Sequence, residues 1–200
     1  MPSRLRGALL AAVLPAVLLG PLPAGSALAA TERWVVESAK SRVGFDAFHA
    51  LGNFSGTSET PTGEVELDID DLKKPIKGSL AVPVASFRTG KTARDKDLRR
   101  ALDGEHHPEI GYQIDKVESS FASLAENDVL LTIHGVLTMR GAARPAAFMG
   151  RIRLRQGTLW VRGESRIRPA DFGIPPLRSW LISMKEHVLA TFDLVLTKTQ

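Results

Sequence analysis

The 200-residue chain has no cysteine. That excludes disulfide scaffolding, thiolate metal sites, cysteine catalysis and lipid attachment at an N-terminal cysteine in one step. Aromatic residues make up 6% of the chain, with a single tyrosine, so any interior is built mainly of Val, Leu and Ile. Neither sign of charge dominates, with 26 Lys+Arg against 22 Asp+Glu. HExxH and G-x-S-x-G are both missing, which removes the common sequence signatures of zinc hydrolases and serine hydrolases. No internal repeat and no linker divides the chain.

One long apolar run is present, at residues 8–19, and Pro15 interrupts it. A membrane-spanning helix needs about 20 apolar residues, so this run is too short. Arg4 and Arg6 precede it, Gly20, Pro21 and Pro23 break it, and the small-residue stretch Ser26-Ala27-Leu28-Ala29 follows. These are the three parts of a cleaved signal peptide. The expectation is a signal peptide at residues 1–29, cut after Ala29, and one exported domain at residues 30–200 that is periplasmic or secreted. Removing Arg4 and Arg6 leaves 24 Lys+Arg against 22 Asp+Glu, a net charge of +2. That is too little to imply a nucleic-acid partner.

From Trp34 onward the dominant period is two. Val65, Leu67 and Ile69 alternate with Glu64, Glu66, Asp68 and Asp70, which reads as one apolar and one acidic face of a strand. Val129, Leu131, Ile133, Gly135, Leu137 and Met139 share one phase, as do Phe148, Gly150 and Ile152, and later Val188, Ala190, Phe192 and Leu194. Seven or more such one-sided segments separated by turn signals predict an all-β antiparallel sandwich or barrel. Gln156-Gly157 reads as a two-residue hairpin turn. Residues 92–102 read as a short surface helix capped by Thr92 or the preceding turn, and residues 169–183 as a helical turn followed by a long loop. Gly135, Gly150 and Gly163 fall on apolar faces within strands, where they leave space and permit sharp bending. Strongly curved strands around a cavity use glycine in this way.

The motifs, taken in order, resemble the YceI-like family: Ser41-Arg42-Val43-Gly44-Phe45 with His49 and Asn53-Phe54-Ser55-Gly56, then Ser86-Phe87-Arg88-Thr89 and Arg94-Asp95-Lys96-Asp97-Leu98, then Gly135-Val136-Leu137-Thr138-Met139-Arg140-Gly141, then Asp171-Phe172-Gly173-Ile174. The resemblance covers residues 34–197. This chain departs from the family at His106, where an aromatic is more usual, at Pro169-Ala170, and in a more elaborate segment at residues 175–186. The resemblance implies an extended antiparallel lipocalin-like β-barrel in an exported protein, holding a long isoprenoid or similar amphiphile. It implies no enzymatic activity and no cofactor.

A lipid-binding barrel needs an apolar lining and a few polar groups at its mouth. Phe45, Phe54, Phe87, Tyr112, Phe148 and Phe192 are the candidate lining; a dry, side-chain-filled core is the alternative use of the same rings. His49, Arg178 and Trp180 are the candidate head-group residues at the mouth. His106-His107 beside Glu105 and Glu109 suggests a metal ligand set, but adjacent residues of an extended strand point to opposite faces, so no metal site is expected. On the predicted hairpin Arg153 faces Trp160, an arrangement for a cation–π contact. Arg151 faces Arg162, a like-charge pair that needs an anion nearby. Glu164, the Glu66–Asp68 strand or an anionic lipid surface are the candidates for that anion. Two rival readings remain open at this point: an interaction module with a filled barrel that docks a partner through the basic hairpin, and an enzyme acting on a bound amphiphile.

Overall fold

Alternating segments become strands because every second residue then shares a face, and each apolar face needs shelter from water. The computed structural model describes residues 31–49, 53–121, 124, 128–174 and 184–199, and only the backbone of His49, Met184 and Lys185. Its strands are β1 (Glu32–Val36), β2 (Arg42–His49), β3 (Phe54–Ser58), β4 (Thr62–Leu67), β5 (Lys77–Pro83), β6 (Glu109–Ser119), β7 (Val129–Met139), β8 (Ala142–Arg155), β9 (Thr158–Ile167) and β10 (Met184–Lys198). One helix, α1 (Thr92–Ala101), lies between β5 and β6. The expected signal peptide at residues 1–29 lies outside the described residues.

The strands follow the order β1-β4-β5-β6-β7-β8-β9-β10, and β1 pairs back onto β10. This closes an eight-stranded antiparallel barrel, to which β2 and β3 are added as an extra hairpin on β10. Strand β10 serves both purposes. Val188–Asp193 pairs with β2, and Leu196–Lys198 pairs with β1. Between them the chain steps across at the 3-10 turn Ser38–Lys40. The step would leave the Val195 N–H without a partner, and the buried Ser41 Oγ accepts it at 3.0 Å while donating to the Glu37 carbonyl at 2.8 Å. The free edge of β3 carries one isolated bridge, where Thr57 and Arg88 exchange backbone hydrogen bonds of 2.9 and 2.8 Å, and beside it the Ser58 and Ser86 hydroxyls pair at 2.6 Å.

Two tight turns fix register. Arg140-Gly141 and Gln156-Gly157 take φ of 52° and 74°, and of 50° and 70°. Both central residues are left-handed, which matches the strand twist in a two-residue hairpin. The second turn gives the predicted pairs Arg155↔Thr158, Arg153↔Trp160 and Arg151↔Arg162.

The barrel's two ends differ. At one end Trp34, Leu67, Leu72, Leu124, Val129 and Leu159 are each at most 2% exposed. Leu72, from the β4–β5 connection, and Leu124 are buried there, and the Leu124 N–H donates to the Ile69 carbonyl at 3.0 Å. At the other end α1 packs Leu98 and Leu102 against Val82, Val84 and Phe87. The helix expected on the surface is therefore part of the wall. Its N-cap is Lys91, which makes no side-chain cap bond. Asp95 instead accepts from the Thr89 N–H and Oγ1 at 2.8 and 2.6 Å, tying down the turn before the helix.

The acidic face also ends earlier than the alternation predicts. β4 stops at Leu67, and Asp68 is 3% exposed rather than solvated. It accepts from the Asp70 N–H at 3.0 Å and pairs with Lys74 at 2.7 Å. The Lys74 hydrogen bond holds its carboxyl below the usual range.

Candidate functional site: an apolar cavity open at one end

A cavity of about 400 Å³ occupies the barrel, and all ten strands and α1 contribute to its lining. Val36, Leu67, Ile76, Ile152 and Leu196 line it near the sealed end. Phe45, Phe54, Phe87, Leu98, Ile174 and Glu186 line it at the other. Ala170 and Glu186 both line it and are exposed to solvent, which marks that end as the mouth. Volume and apolar character fall in the range of small-molecule sites.

The space persists because several inward rings lie against inward glycines. A Cβ on Gly163 would stand 2.5 Å from the Phe192 ring, one on Gly56 2.4 Å from the Phe45 ring, and one on Gly135 2.8 Å from Tyr112 Cζ. Each ring occupies the place of an absent side chain and lies close to the wall. Phe192↔Gly163 and Phe45↔Gly56 are direct cross-strand partners, so the fit is set by register. Tyr112 gains a second benefit. Its hydroxyl reaches over Gly135 and donates to the carbonyls of Ile133 and Ala146, at 3.0 and 3.1 Å. Burial pushes its phenol far above the usual range, so it stays neutral.

All six aromatics named from the sequence line this one cavity. They form two groups. Tyr112, Phe148 and Phe192 contact one another in the middle, with centroids 5.1 and 5.5 Å apart. Phe45, Phe54 and Phe87 meet near the mouth at 5.9 and 6.0 Å. Polar lining is sparse. Glu64 pairs with Arg33 on the outside, Glu186 pairs with Arg168 at the mouth, and Ser79 and Thr191 complete the set with Tyr112.

His49 ends β2 opposite Met184, and its side chain lies outside the described residues, as do Arg178 and Trp180. Arg140 and Arg144 are both engaged with backbone carbonyls, of Gly173 and Ala143 respectively. His106 Nδ1 pairs with Asp103 at 2.7 Å, and Asp103 raises its pKa. Among the described residues, no three His, Asp or Glu side chains are grouped to hold a metal ion.

The basic hairpin receives its anions from inside the chain. Asp128 takes both Arg151 and Arg153, and Asp193 takes Arg162. These replace the expected partners Glu164, Glu66 and Asp68, and the Arg153 guanidinium turns to Asp128 rather than to Trp160. The hairpin also stands at the sealed end, next to Leu159 and Val129. The cation–π contact found among the described residues is elsewhere: Arg94 lies 4.5 Å above the Phe54 ring at the mouth. The sequence holds a signal for this, because Arg94 and Leu98 are four apart and share one face of α1.

The profile of the YceI-like domain matches residues 34–196. The chain belongs to the YceI-like domain family. Among solved structures this YceI-like chain is similar to Burkholderia cenocepacia BcnA, with a TM-score of 0.68 at 19% identity over 80% of this chain and 98% of that one. A polyisoprenoid binding domain from Saccharophagus degradans, implicated in plant cell wall breakdown, gives 0.66 at 15% identity over 83% and 98%. The Campylobacter jejuni YceI protein gives 0.56 at 15% identity over 72% and 84%. At these identities the likenesses establish a common fold. No curated protein sequence matches this chain. Among the described residues no helix is long and apolar enough to cross a membrane.

Proposed function

We propose that this YceI-like protein is an exported, non-enzymatic carrier that holds a polyisoprenoid or similar long-chain amphiphile in its barrel. The chain would lie tail-first toward the sealed end, with its head group at the mouth near Glu186, His49, Arg178 and Trp180. The observation that carries this reading is the continuous apolar cavity of about 400 Å³ running from the floor to an exposed rim. A barrel filled by side chains would have no such space. Burying an alkyl chain there gains about 0.8 kcal/mol per methylene. Tyr112, Glu64 and Glu186, the titratable groups that line the lumen, are each engaged with a partner, which favours holding a molecule over transforming it. The likeness to a polyisoprenoid binding domain agrees in ligand class.

Native mass spectrometry of the protein purified from its own cells, followed by lipid extraction, tests the proposal. The expected result is one amphiphile near equimolar amount. Ala190→Trp, a substitution on the cavity wall, should lower the recovered amount at least about tenfold, the effect of ~1.4 kcal/mol, in a protein that retains its β-sheet circular dichroism. Recovery of no amphiphile from the parent protein would overturn the carrier reading.

A further inference from the structure

We propose that α1 and the loop before it, residues 88–100, form the surface that docks the barrel mouth onto an anionic phospholipid bilayer. The inference rests on the carrier reading, since a carrier must bring its opening to a membrane to load or release an amphiphile. It assigns that contact to a different surface from the arginine hairpin.

Charge is concentrated in this segment. Arg88, Lys91, Arg94, Lys96, Arg99 and Arg100 stand against Asp95 and Asp97, a net charge of +4. The chain after Ala29 carries +2 in total, so everything outside the segment sums to −2. The two carboxylates do little to neutralise it outward. Asp95 is buried and committed to Thr89, and Asp97 pairs with Arg100 at 3.1 Å. Among the described residues, Lys91, Arg94, Lys96 and Arg99 have no carboxylate within ion-pair distance, whereas Arg151, Arg153 and Arg162 all do.

Position supports the same assignment. The inner face of α1 puts Leu98 and Leu102 into the cavity wall, and Lys91, Lys96 and Arg100 are exposed on the outer side. Arg94 connects the two faces, with its guanidinium on Phe54, a ring that also lines the cavity. A cation stacked on an aromatic at the rim of an apolar lumen suits the head-group layer, where both groups are stable. The carboxylates Asp103, Glu105 and Glu109 follow the helix, and they direct the contact toward its N-terminal half. The arginine hairpin lies at the sealed end, where docking would hold the mouth away from the bilayer.

The test is flotation of the purified protein with phosphatidylcholine vesicles, with and without phosphatidylglycerol. The proposal expects binding only when phosphatidylglycerol is present, weakening as salt rises. Each cation near an anionic surface contributes about fivefold, so Lys91→Gln with Lys96→Gln should weaken binding roughly thirtyfold. Both side chains are exposed, so the fold should hold. Arg155→Gln on the hairpin should leave binding unchanged. Equal binding by the double variant, equal binding to neutral vesicles, or capture of an acidic soluble protein in place of vesicles would overturn the assignment. Lipid extraction in parallel separates this test from the carrier test. Vesicle binding by a protein that contains no amphiphile removes the carrier reading, whereas an amphiphile-loaded protein that ignores vesicles removes this surface.

Discussion

The floor and the mouth of the barrel are made by the same strands, yet one is packed solid and the other is open. At the floor, Leu72 and Leu124 join Trp34, Val129 and Leu159 in one buried cluster. At the mouth, the corresponding space is framed by α1 and by rings that lean on glycines, and among the described residues it remains a cavity. Alternation along a strand decides only which side chains point inward. Whether the inside is filled depends on what the loops contribute and on which inward positions are glycine. Tight packing and the open cavity are thereby assigned to different ends of one wall.

Truncation should expose this difference most strongly. Leu159→Ala, at a position with 0% exposure, should cost about 2–5 kcal/mol, read from the urea midpoint, with little change in bound amphiphile. Phe54→Ala, at the half-buried rim, should cost only about 1–2 kcal/mol and should speed amphiphile release measured by transfer to acceptor vesicles. If the two substitutions proved equally destabilising, the distinction between floor and mouth would fail. Gly163→Ala sharpens it further. The new methyl displaces the Phe192 ring into the lumen, which should cost about 1 kcal/mol yet reduce the amphiphile recovered by extraction. The smallest effect is one of pH. Asp103 raises the pKa of His106 above its ordinary value, so the pair stabilises the fold fully below about pH 6.5 and loses that contribution as pH rises through the raised value. His106→Gln should remove this slope from the thermal midpoint while leaving floor packing untouched.

Much of the wall could be read from local pattern. The phase of residues 129–139 appears intact as β7, and the Gln156-Gly157 turn fixed three cross-strand pairs in advance. Both depend on neighbours a few residues apart. Closure of β1 onto β10 and the division of β10 between β1 and β2 join residues far apart in sequence, and no period encodes them. The same limit explains the missed charges. Asp128 sits in a connection with no repeat, and Asp193 faces Arg162 only because β9 pairs with β10 in that register. Asp68 was misassigned because the alternation continues past the point where the strand turns away. Of the site, the six rings were legible as inward positions. That Phe45, Tyr112 and Phe192 lie over Gly56, Gly135 and Gly163 required the pairing itself, and the cation at the rim required the helix to be placed.

The single Thr57–Arg88 bridge along the edge of β3 bears on how a cargo gets in. Everywhere else around the ring a ladder of hydrogen bonds must break before two strands part, an opening close in cost to global unfolding. Along this edge, among the described residues, two backbone hydrogen bonds and the Ser58–Ser86 hydroxyl pair do the work. The amides of Thr57 and Arg88 should therefore exchange with deuterium far sooner than those of β7 and β9, because a brief local opening suffices. Such an opening would admit the alkyl chain of the proposed amphiphile sideways while the floor stays intact.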